Sequence, residues 1–341
     1  MCDIADLVYP NSIQLQEIAQ ILIPRLEENR LGFTLFPTVN VDDWLLSWEL
    51  YDNFQGLQAA RGLNGEPPKV KRIGLKRYMM EPGAYGEFDT IDEVEITRRR
   101  RIGTFNEAID ISELVMVAQR NLLQRRLDRI EWIIWTLLAT GTFSVAGPNQ
   151  SIIHTDTITL GSYAAGVSWA TSATATPLHD FRQVQLKHRG QSVSFNRDAM
   201  AVMNLVTFNN LINNGNSTDL YGRRVAGLAT VNSPEQLSQL LGMDNLPTFT
   251  VYDEGYLDTT GTFQPFIPDN KVIVIGKRTN GAPLGNFAFA RNANNPGSAP
   301  GPYMKIVDNA DRDVPRSIQI HDGFNGGIQL YYGTAIVVMS V

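Results

Sequence analysis

Cysteine and histidine are scarce in this sequence of 341 residues, which contains one cysteine, Cys2, and four histidines. A single cysteine excludes a disulfide within the chain, so stability has to come from packing and polar contacts. No paired-cysteine or HExxH zinc motif is present. His179 and His188 lie on different faces of a predicted helix, so we interpret both as surface residues. We therefore expect no metal.

Sequence motifs for catalysis and cofactor binding are also missing. There is no Walker-type phosphate loop, no GxGxxG after a strand and no GxSxG elbow. Asp253, Glu254 and Asp258 occur in a turn-rich segment, which favours solvated loop residues over general acids. We predict no cofactor and no enzymatic activity, while a catalytic site assembled only by folding stays open as an alternative.

Long apolar runs and an excess of positive charge are absent as well. Residues 130–139 are the most apolar run, but they contain Glu131 and fall short of the about 20 residues that a membrane span needs. The net charge of −6 disfavours bulk affinity for nucleic acid. The first residues, MCDIADLVYP, carry acids where an export signal needs basic residues. We expect a soluble protein of a reducing compartment, with about two domains and no membrane partner.

The most conspicuous feature that is present is a run of four arginines behind a cluster of acids. The arginines are Arg98, Arg99, Arg100 and Arg101, and the acids are Glu87, Asp89, Asp92, Glu93 and Glu95. Because the two signs nearly balance, a phosphate-binding site and a solvated basic turn are both disfavoured. The stretch DEVEITR reads as a strand, and opposed charges on adjoining strand segments favour pairing within the chain or across a subunit boundary.

A long polar hairpin is predicted before these charges. LLSWELYD reads as its first strand, and Asn64-Gly65 is a turn signal near its middle. Its basic residues are Arg61, Lys69, Lys71, Arg72, Lys76 and Arg77. A hairpin this polar buries little surface by itself, so we expect it to lie on a surface outside itself.

A long helix over residues 113–140 follows, with Asp110 and Glu113 in a capping-box pattern and Gly141 as its stop. Apolar residues recur at alternating steps of four and three, at Leu123, Leu127, Ile130, Ile134 and Leu137. Arg120, Gln124, Arg125 and Asp128 line the opposite face. At 1.5 Å per residue the helix would extend about 42 Å, which is typical of a structural spine.

The flanking segments mix helices and strands without regular βαβ repeats, which predicts the α+β class. Pro24 interrupts the first helical pattern, so the N-terminal region is interpreted as an arm, with GFTLFPTVNVDD extended. Asn196 is expected to cap a helix over RDAMAVMNLVTFNNLINN. TFTVYDEGY, TFQPFI, KVIVIGK and the C-terminal GIQLYYGTAIVVMSV read as strands.

The order of these parts resembles the major capsid proteins of tailed bacteriophages, which have the Hong Kong-97 type fold, and in particular the lambda-type major capsid protein E family. RRRRIG before the long helix, GQSVSFNRDAMAVMNLV, and a hairpin followed by the PDN turn at Pro268, Asp269 and Asn270 carry the resemblance. It implies an N-terminal arm (residues 1–45), an E-loop hairpin (46–100), a P-domain (101–176 and 311–341, with the spine helix 113–140) and an A-domain (177–310).

The resemblance also implies a function. The chain would assemble into pentamers and hexamers of an icosahedral virion shell around double-stranded DNA, which it would not bind specifically, with assembly taking place in the host cytoplasm. Its partners would be copies of itself, a separate scaffolding protein, a portal and, in some relatives, a decoration protein. The hairpin bases, the arginine run and its acids would be subunit-interface residues. An encapsulin-like shell around a cargo enzyme and a soluble α+β enzyme are the alternatives.

Overall fold

The computed structural model describes residues 10–27, 30–51, 57–63, 65–69, 75–99, 110–146, 152–189, 193–214, 234–242, 245–258, 260–278, 283–309 and 314–341. The chain divides into two compact units. The first comprises residues 1–46, 80–131 and 286–329, and the second comprises residues 47–79, 132–285 and 330–341.

The helices of the described residues are α1 (Ser12–Glu27), α2 (Leu31–Leu35), α3 (Glu93–Arg98), α4 (Ile111–Thr140), α5 (Pro177–Lys187), α6 (Leu205–Ile212) and α7 (Pro234–Gly242), with short 3-10 turns at Pro296–Ser298 and Gly333–Ala335. The strands are β1 (Thr38–Asn40), β2 (Leu46–Tyr51), β3 (Leu75–Met80), β4 (Gly83–Asp92), β5 (Thr142–Ala146), β6 (Ile152–Thr157), β7 (Gly161–Ala164), β8 (Val193–Ser194), β9 (Met200–Met203), β10 (Thr248–Val251), β11 (Gly255–Leu257), β12 (Phe263–Pro265), β13 (Lys271–Ile275), β14 (Lys277–Arg278), β15 (Gly285–Phe289), β16 (Tyr303–Asp308), β17 (Ser317–Leu330) and β18 (Ile336–Ser340).

The first unit is a five-stranded sheet packed against helices. The strand order is β1-β15-β17-β16, and β4 pairs antiparallel with the long strand β17. Alternate residues of β17, such as Ile318 and Ile320, pack with Leu15 of α1 and Leu123 of α4 in one apolar cluster. Burying large aliphatic side chains of this kind contributes about 1.5–3 kcal/mol each. This core therefore holds α1 and the first half of α4 against the sheet.

The second unit contains another five-stranded sheet, in the order β10-β9-β13-β18-β7. Its middle strands are almost wholly apolar, and Val272, Ile273 and Val274 of β13 are fully buried. A buried carboxylate, Asp180 of α5, accepts hydrogen bonds from Tyr163 Oη and Trp169 Nε1, each at 2.9 Å. These bonds satisfy a charge that burial would otherwise make costly.

The long helix α4 confirms the predicted spine. It begins after Asp110, whose Oδ1 accepts from the Ser112 amide at 3.3 Å, and ends at Gly141, which adopts a φ of 73°. The five predicted core residues Leu123, Leu127, Ile130, Ile134 and Leu137 are all buried. The opposite face is polar and more accessible, as the periodicity predicts.

The prediction that DEVEITR is a strand was wrong. Strand β4 ends at Asp92 and the chain turns into α3, where the Arg99 amide donates to the Glu95 carbonyl at 3.1 Å. Glu93 and Glu95 in the first turn and Arg98 in the last complement the helix dipole. The predicted charge cluster therefore lies partly on a helix.

The predicted helix after Asn196 was wrong in its first half. Met200–Met203 is the buried strand β9, paired with β10 on one side and β13 on the other. The helix begins only at Leu205, and its cap is Asn204, whose Oδ1 accepts from the Thr207 amide at 2.9 Å. A short buried apolar run has no periodicity that distinguishes a strand from a helix.

Three further predictions need correction. Pro24 does not interrupt α1, because it lies in the last part of a 16-residue helix that Leu15 and Ala19 anchor in the core. The stretch after Arg30 begins with the short helix α2, not with an extended segment. His188 is 9% exposed and packs on Phe195, so it is not a surface residue.

Candidate subunit interface

The predicted hairpin has an anchored base and an exposed end. At the base, β2 pairs with β3, Trp48 stacks on Tyr78 at 5.9 Å, and Trp48 Nε1 donates to the Leu330 carbonyl at 2.8 Å. The described residues of the end, 57–63 and 65–69, are all exposed. Leu57 and Leu63 are as exposed as in an extended chain, at 102% and 99%. This end buries no side chain within the described part of the chain.

The basic residues of the hairpin lie on this exposed surface where the structure describes them. Arg61, Lys69 and Arg77 are exposed, and Arg61 Nη1 donates to the Gly65 carbonyl at 3.2 Å. Lys71 and Arg72 lie outside the described residues, as does Asn64 of the predicted turn. Lys76 belongs to β3.

Two of the five predicted acids are already paired with arginines inside the first unit. Glu87 of β4 accepts from Arg125 Nε and, at 2.9 Å, from Arg125 Nη2. The hydrogen bond from Arg125 lowers the pKa of Glu87, which burial alone would raise. Glu95 pairs with Arg99 at 3.3 Å, one helical turn away. Both pairs are exposed, so each contributes at most about 1 kcal/mol to the free energy of unfolding.

The other predicted charges of this region have no ion pair among the described residues. These are Asp89 on β4, Asp92 at its end, and Glu93 and Arg98 on α3. Arg100 and Arg101 lie outside the described residues. Glu87 and Glu95 are thus paired within the chain, whereas these four residues on β4 and α3 have no ion pair among the described residues.

Exposed apolar residues accompany these charges, and the sequence analysis did not single them out. Phe88 is 59% exposed on β4, where it stacks on His321 of β17 at 5.3 Å. Val94 is 57% exposed on α3. Large apolar side chains on a charged surface are typical of protein interaction sites. Among the described residues β4 pairs with β17 alone, so its other edge is open.

Within the described ranges, no helix has the length and apolar character needed to cross a membrane. In that same part of the chain, no group of three or more His, Cys, Asp or Glu side chains is placed to hold a metal ion.

Comparison with known proteins shows the family of the chain. The family model of the phage major capsid protein E matches residues 52–320. The chain belongs to this family. A member of the phage major capsid protein E family forms the phage head, so the protein is a structural component of the virion and associates with copies of itself into a shell. The alternatives of a cargo-enclosing shell and of a soluble enzyme are not favoured.

Solved structures share the fold of this capsid protein at low sequence identity. A protein described as a prophage capsid protein of Escherichia coli CFT073 is 13% identical with a TM-score of 0.59, and the match covers 95% of this chain and 98% of that one. A phage-related protein of Bordetella bronchiseptica RB50 is 11% identical with a TM-score of 0.54, over 94% and 96% of the two chains. The capsid of a native GTA particle is 12% identical with a TM-score of 0.50, and the match covers 90% of this chain and 88% of that one. The α+β capsid fold predicted from the sequence is confirmed.

Proposed function

We propose that this capsid protein forms pentamers and hexamers that tile an icosahedral shell around double-stranded DNA. Head-to-tail contacts close into rings, because each subunit uses one surface to bind its left neighbour and another to bind its right. In this proposal residues 1–45 are the arm, 46–100 the E-loop, 101–176 and 311–341 the P-domain, and 177–310 the A-domain.

The exposed hairpin end is the observation that carries the proposal. Burying Leu57 or Leu63 would contribute about 1.5–3 kcal/mol for each side chain, and neither is buried here. A second copy that covers both leucines would supply this burial free energy. The hairpin is therefore built to be stabilised by assembly and not by the fold of its own chain.

Opposite charges give the contact its orientation. Arg61, Lys69 and Arg77 on the hairpin are basic, whereas Asp89 and Glu93 on β4 and α3 are acidic and unpaired among the described residues. We assign the hairpin of one copy to the acidic surface of the next. The arginine run from 98 to 101 takes part in the same interface. Charge complementarity of this kind steers association and rejects wrong orientations.

The remaining partners follow from the proposed role. A separate scaffolding protein, a portal and a decoration protein would act on the shell from outside this chain. The net charge of −6 suits a lining that does not hold DNA phosphates while the shell fills. Any binding of DNA by the subunit is then weak and independent of sequence.

A charge-reversal experiment tests the interface. Two chains are made, Lys69→Glu with Arg77→Glu, and Asp89→Lys with Glu93→Lys, together with a third that carries all four changes. Each is expressed with the neighbouring gene products, and shells are counted by ultracentrifugation and electron microscopy. Each double reversal should lower the shell yield at least tenfold because like charges then meet. The fourfold reversal should restore much of it because the attraction is re-formed with opposite signs.

Two controls separate assembly from folding. Arg182→Glu reverses the charge of one exposed residue of α5, outside the assigned interface, and should leave the yield unchanged. Far-ultraviolet circular dichroism of each unassembled subunit should match the wild type. Normal shell yield from both double reversals would refute the assigned interface.

A further inference from the structure

The first unit contains a partly open cavity of about 260 Å³ that no part of the proposed interface uses. Helices α1, α2 and α4 and strands β1 and β15 supply its walls. Ile23, Phe33, Leu127 and Ile130 make the wall mainly apolar. A cavity of this size is smaller than a typical drug-sized site, so it suits a small organic molecule or a single side chain.

Four residues that line the cavity have polar side chains. Glu27 of α1 is half-buried, and Thr38 and Asn40 of β1 are exposed. Arg126 of α4 also lines the cavity. Its guanidinium is committed elsewhere, because Nη1 donates to Asp322 Oδ1 at 2.6 Å and both side chains are buried.

The two arginines whose charges act on Glu27 are each paired with another carboxylate. Arg126 is neutralised by Asp322, and Arg30 is neutralised by Asp128 at 2.6 Å. Glu27 forms no hydrogen bond or ion pair through its side chain within the described residues. Burial raises the pKa of Glu27 more than the nearby charges of Arg126 and Arg30 lower it. The cavity is therefore lined by a half-buried carboxylate that has neither a hydrogen bond nor an ion pair among the described residues.

We propose that this cavity binds a compact organic cation with an aliphatic body, of the guanidinium or alkylammonium class, with the charged head at Glu27. The acceptors of Glu27, Thr38 and Asn40 match the several N–H donors of such a head. The apolar wall covers the aliphatic body, as it does for the stem of a buried arginine or lysine. The aromatic ring of Phe33 adds a face that attracts cations.

The probe for this site is butylguanidinium, titrated into the isolated full-length subunit at constant ionic strength and followed by calorimetry. A dissociation constant of about 1 mM is expected for a ligand with so few atoms. Guanidinium lacks the aliphatic body and n-butanol lacks the charge, so each should bind at least tenfold more weakly. The subunit does not need to assemble in this experiment, so the outcome is independent of the proposed shell contacts.

Two variants test where the cation lies. Glu27→Gln removes the charge with little change in shape and should weaken binding at least tenfold, whereas Glu17→Gln on the exposed face of the same helix should have no effect. Asn40→Lys places an ammonium group at the exposed rim and should block the probe without loss of the fold. Equal binding by the wild type and both cavity variants, or no binding by the wild type, would overturn the proposal.

Shell assembly then distinguishes two sources of the cation. If Glu27→Gln subunits bind no probe and form shells normally, the ligand is a free small molecule. If the same subunits form fewer shells, and butylguanidinium at saturating concentration inhibits wild-type assembly, the ligand is a basic side chain of a second copy. Either result supports the cavity as a cation site.

Discussion

The hairpin end and the last part of the long helix α4 belong to the same compact unit, yet their apolar side chains differ in burial. Helix α4 buries Ile134 and Trp135 completely, and Trp135 packs on Tyr252 with ring centroids 5.2 Å apart. The hairpin leaves Leu57 and Leu63 in solvent. The first region stabilises the subunit. The leucines of the second region contribute no burial free energy within the described part of the chain, and we propose that a second copy covers them.

The largest expected effect comes from a substitution in the buried region of this comparison. Trp135→Ala removes a fully buried indole and its aromatic contact, and we expect the free energy of unfolding of the isolated subunit to fall by about 5 kcal/mol. Leu63→Ala is the matched change in the hairpin and should alter it by less than about 0.5 kcal/mol. Chemical denaturation followed by tryptophan fluorescence and circular dichroism measures both. A comparable loss in both variants would show that the hairpin end belongs to the folded core.

The next effect extends the comparison to charges on adjacent residues of α4. Arg126 is buried with Asp322, whereas Arg125 is exposed with Glu87. Arg126→Met leaves a buried carboxylate without its partner and should cost about 4 kcal/mol. Arg125→Met should cost less than about 1 kcal/mol because water solvates Glu87. Denaturation of the two variants at pH 7 checks the difference, and similar costs would contradict the burial assigned to Arg126.

The smallest of the three effects is a pH dependence from the same buried pair. Burial raises the pKa of Asp322 from 3.8 to about 6, although Arg126 opposes the change. Between these values the folded subunit holds a proton that the unfolded chain releases, so the Asp322 contribution to stability is present at low pH and is lost as the pH rises through about 6. The wild type should lose up to about 3 kcal/mol between pH 4 and pH 7 relative to Asp322→Asn. Parallel stability curves for the two proteins would contradict the raised pKa.

Local sequence patterns were sufficient for much of the fold. The spine helix, its cap at Asp110 and its stop at Gly141 were predicted because periodicity and capping act within a few residues. The PDN turn is present as well, with Asn270 at a φ of 57°. The first strand of the hairpin and the strongly β-forming C-terminus followed the same local rules, whereas β3 was not predicted.

Elements that depend on distant partners were predicted less well. Met200–Met203 is a strand because β10 and β13, far along the chain, supply its backbone hydrogen bonds. The local sequence around Met200–Met203 does not indicate which strands will pair with it. Helix α1 runs through Pro24 because its apolar face packs on β16 and β17, which lie near the other end of the chain.

The candidate interface divides in the same way. Its residue types were evident from the sequence, since a run of arginines, a cluster of acids and a basic hairpin stand out in an acidic chain. The pairing of these charges was not evident, because Glu87 is paired with Arg125, 38 positions away, while Asp89 on the same strand has no ion pair among the described residues. The four-part division into arm, E-loop, P-domain and A-domain stays a prediction beside the two compact units.

The sequence by itself determined which residues are able to form a long amphipathic helix, which segments carry charge, and that this order of parts resembles a phage capsid protein. The tertiary structure alone decided which charges are paired within the subunit, which apolar residues stay in water, and that Glu27 lines a cavity without an ion pair among the described residues. The physical reason is one of range. Helix propensity and capping act over neighbouring residues, whereas burial and ion pairing act over a few ångströms between residues that the chain places far apart.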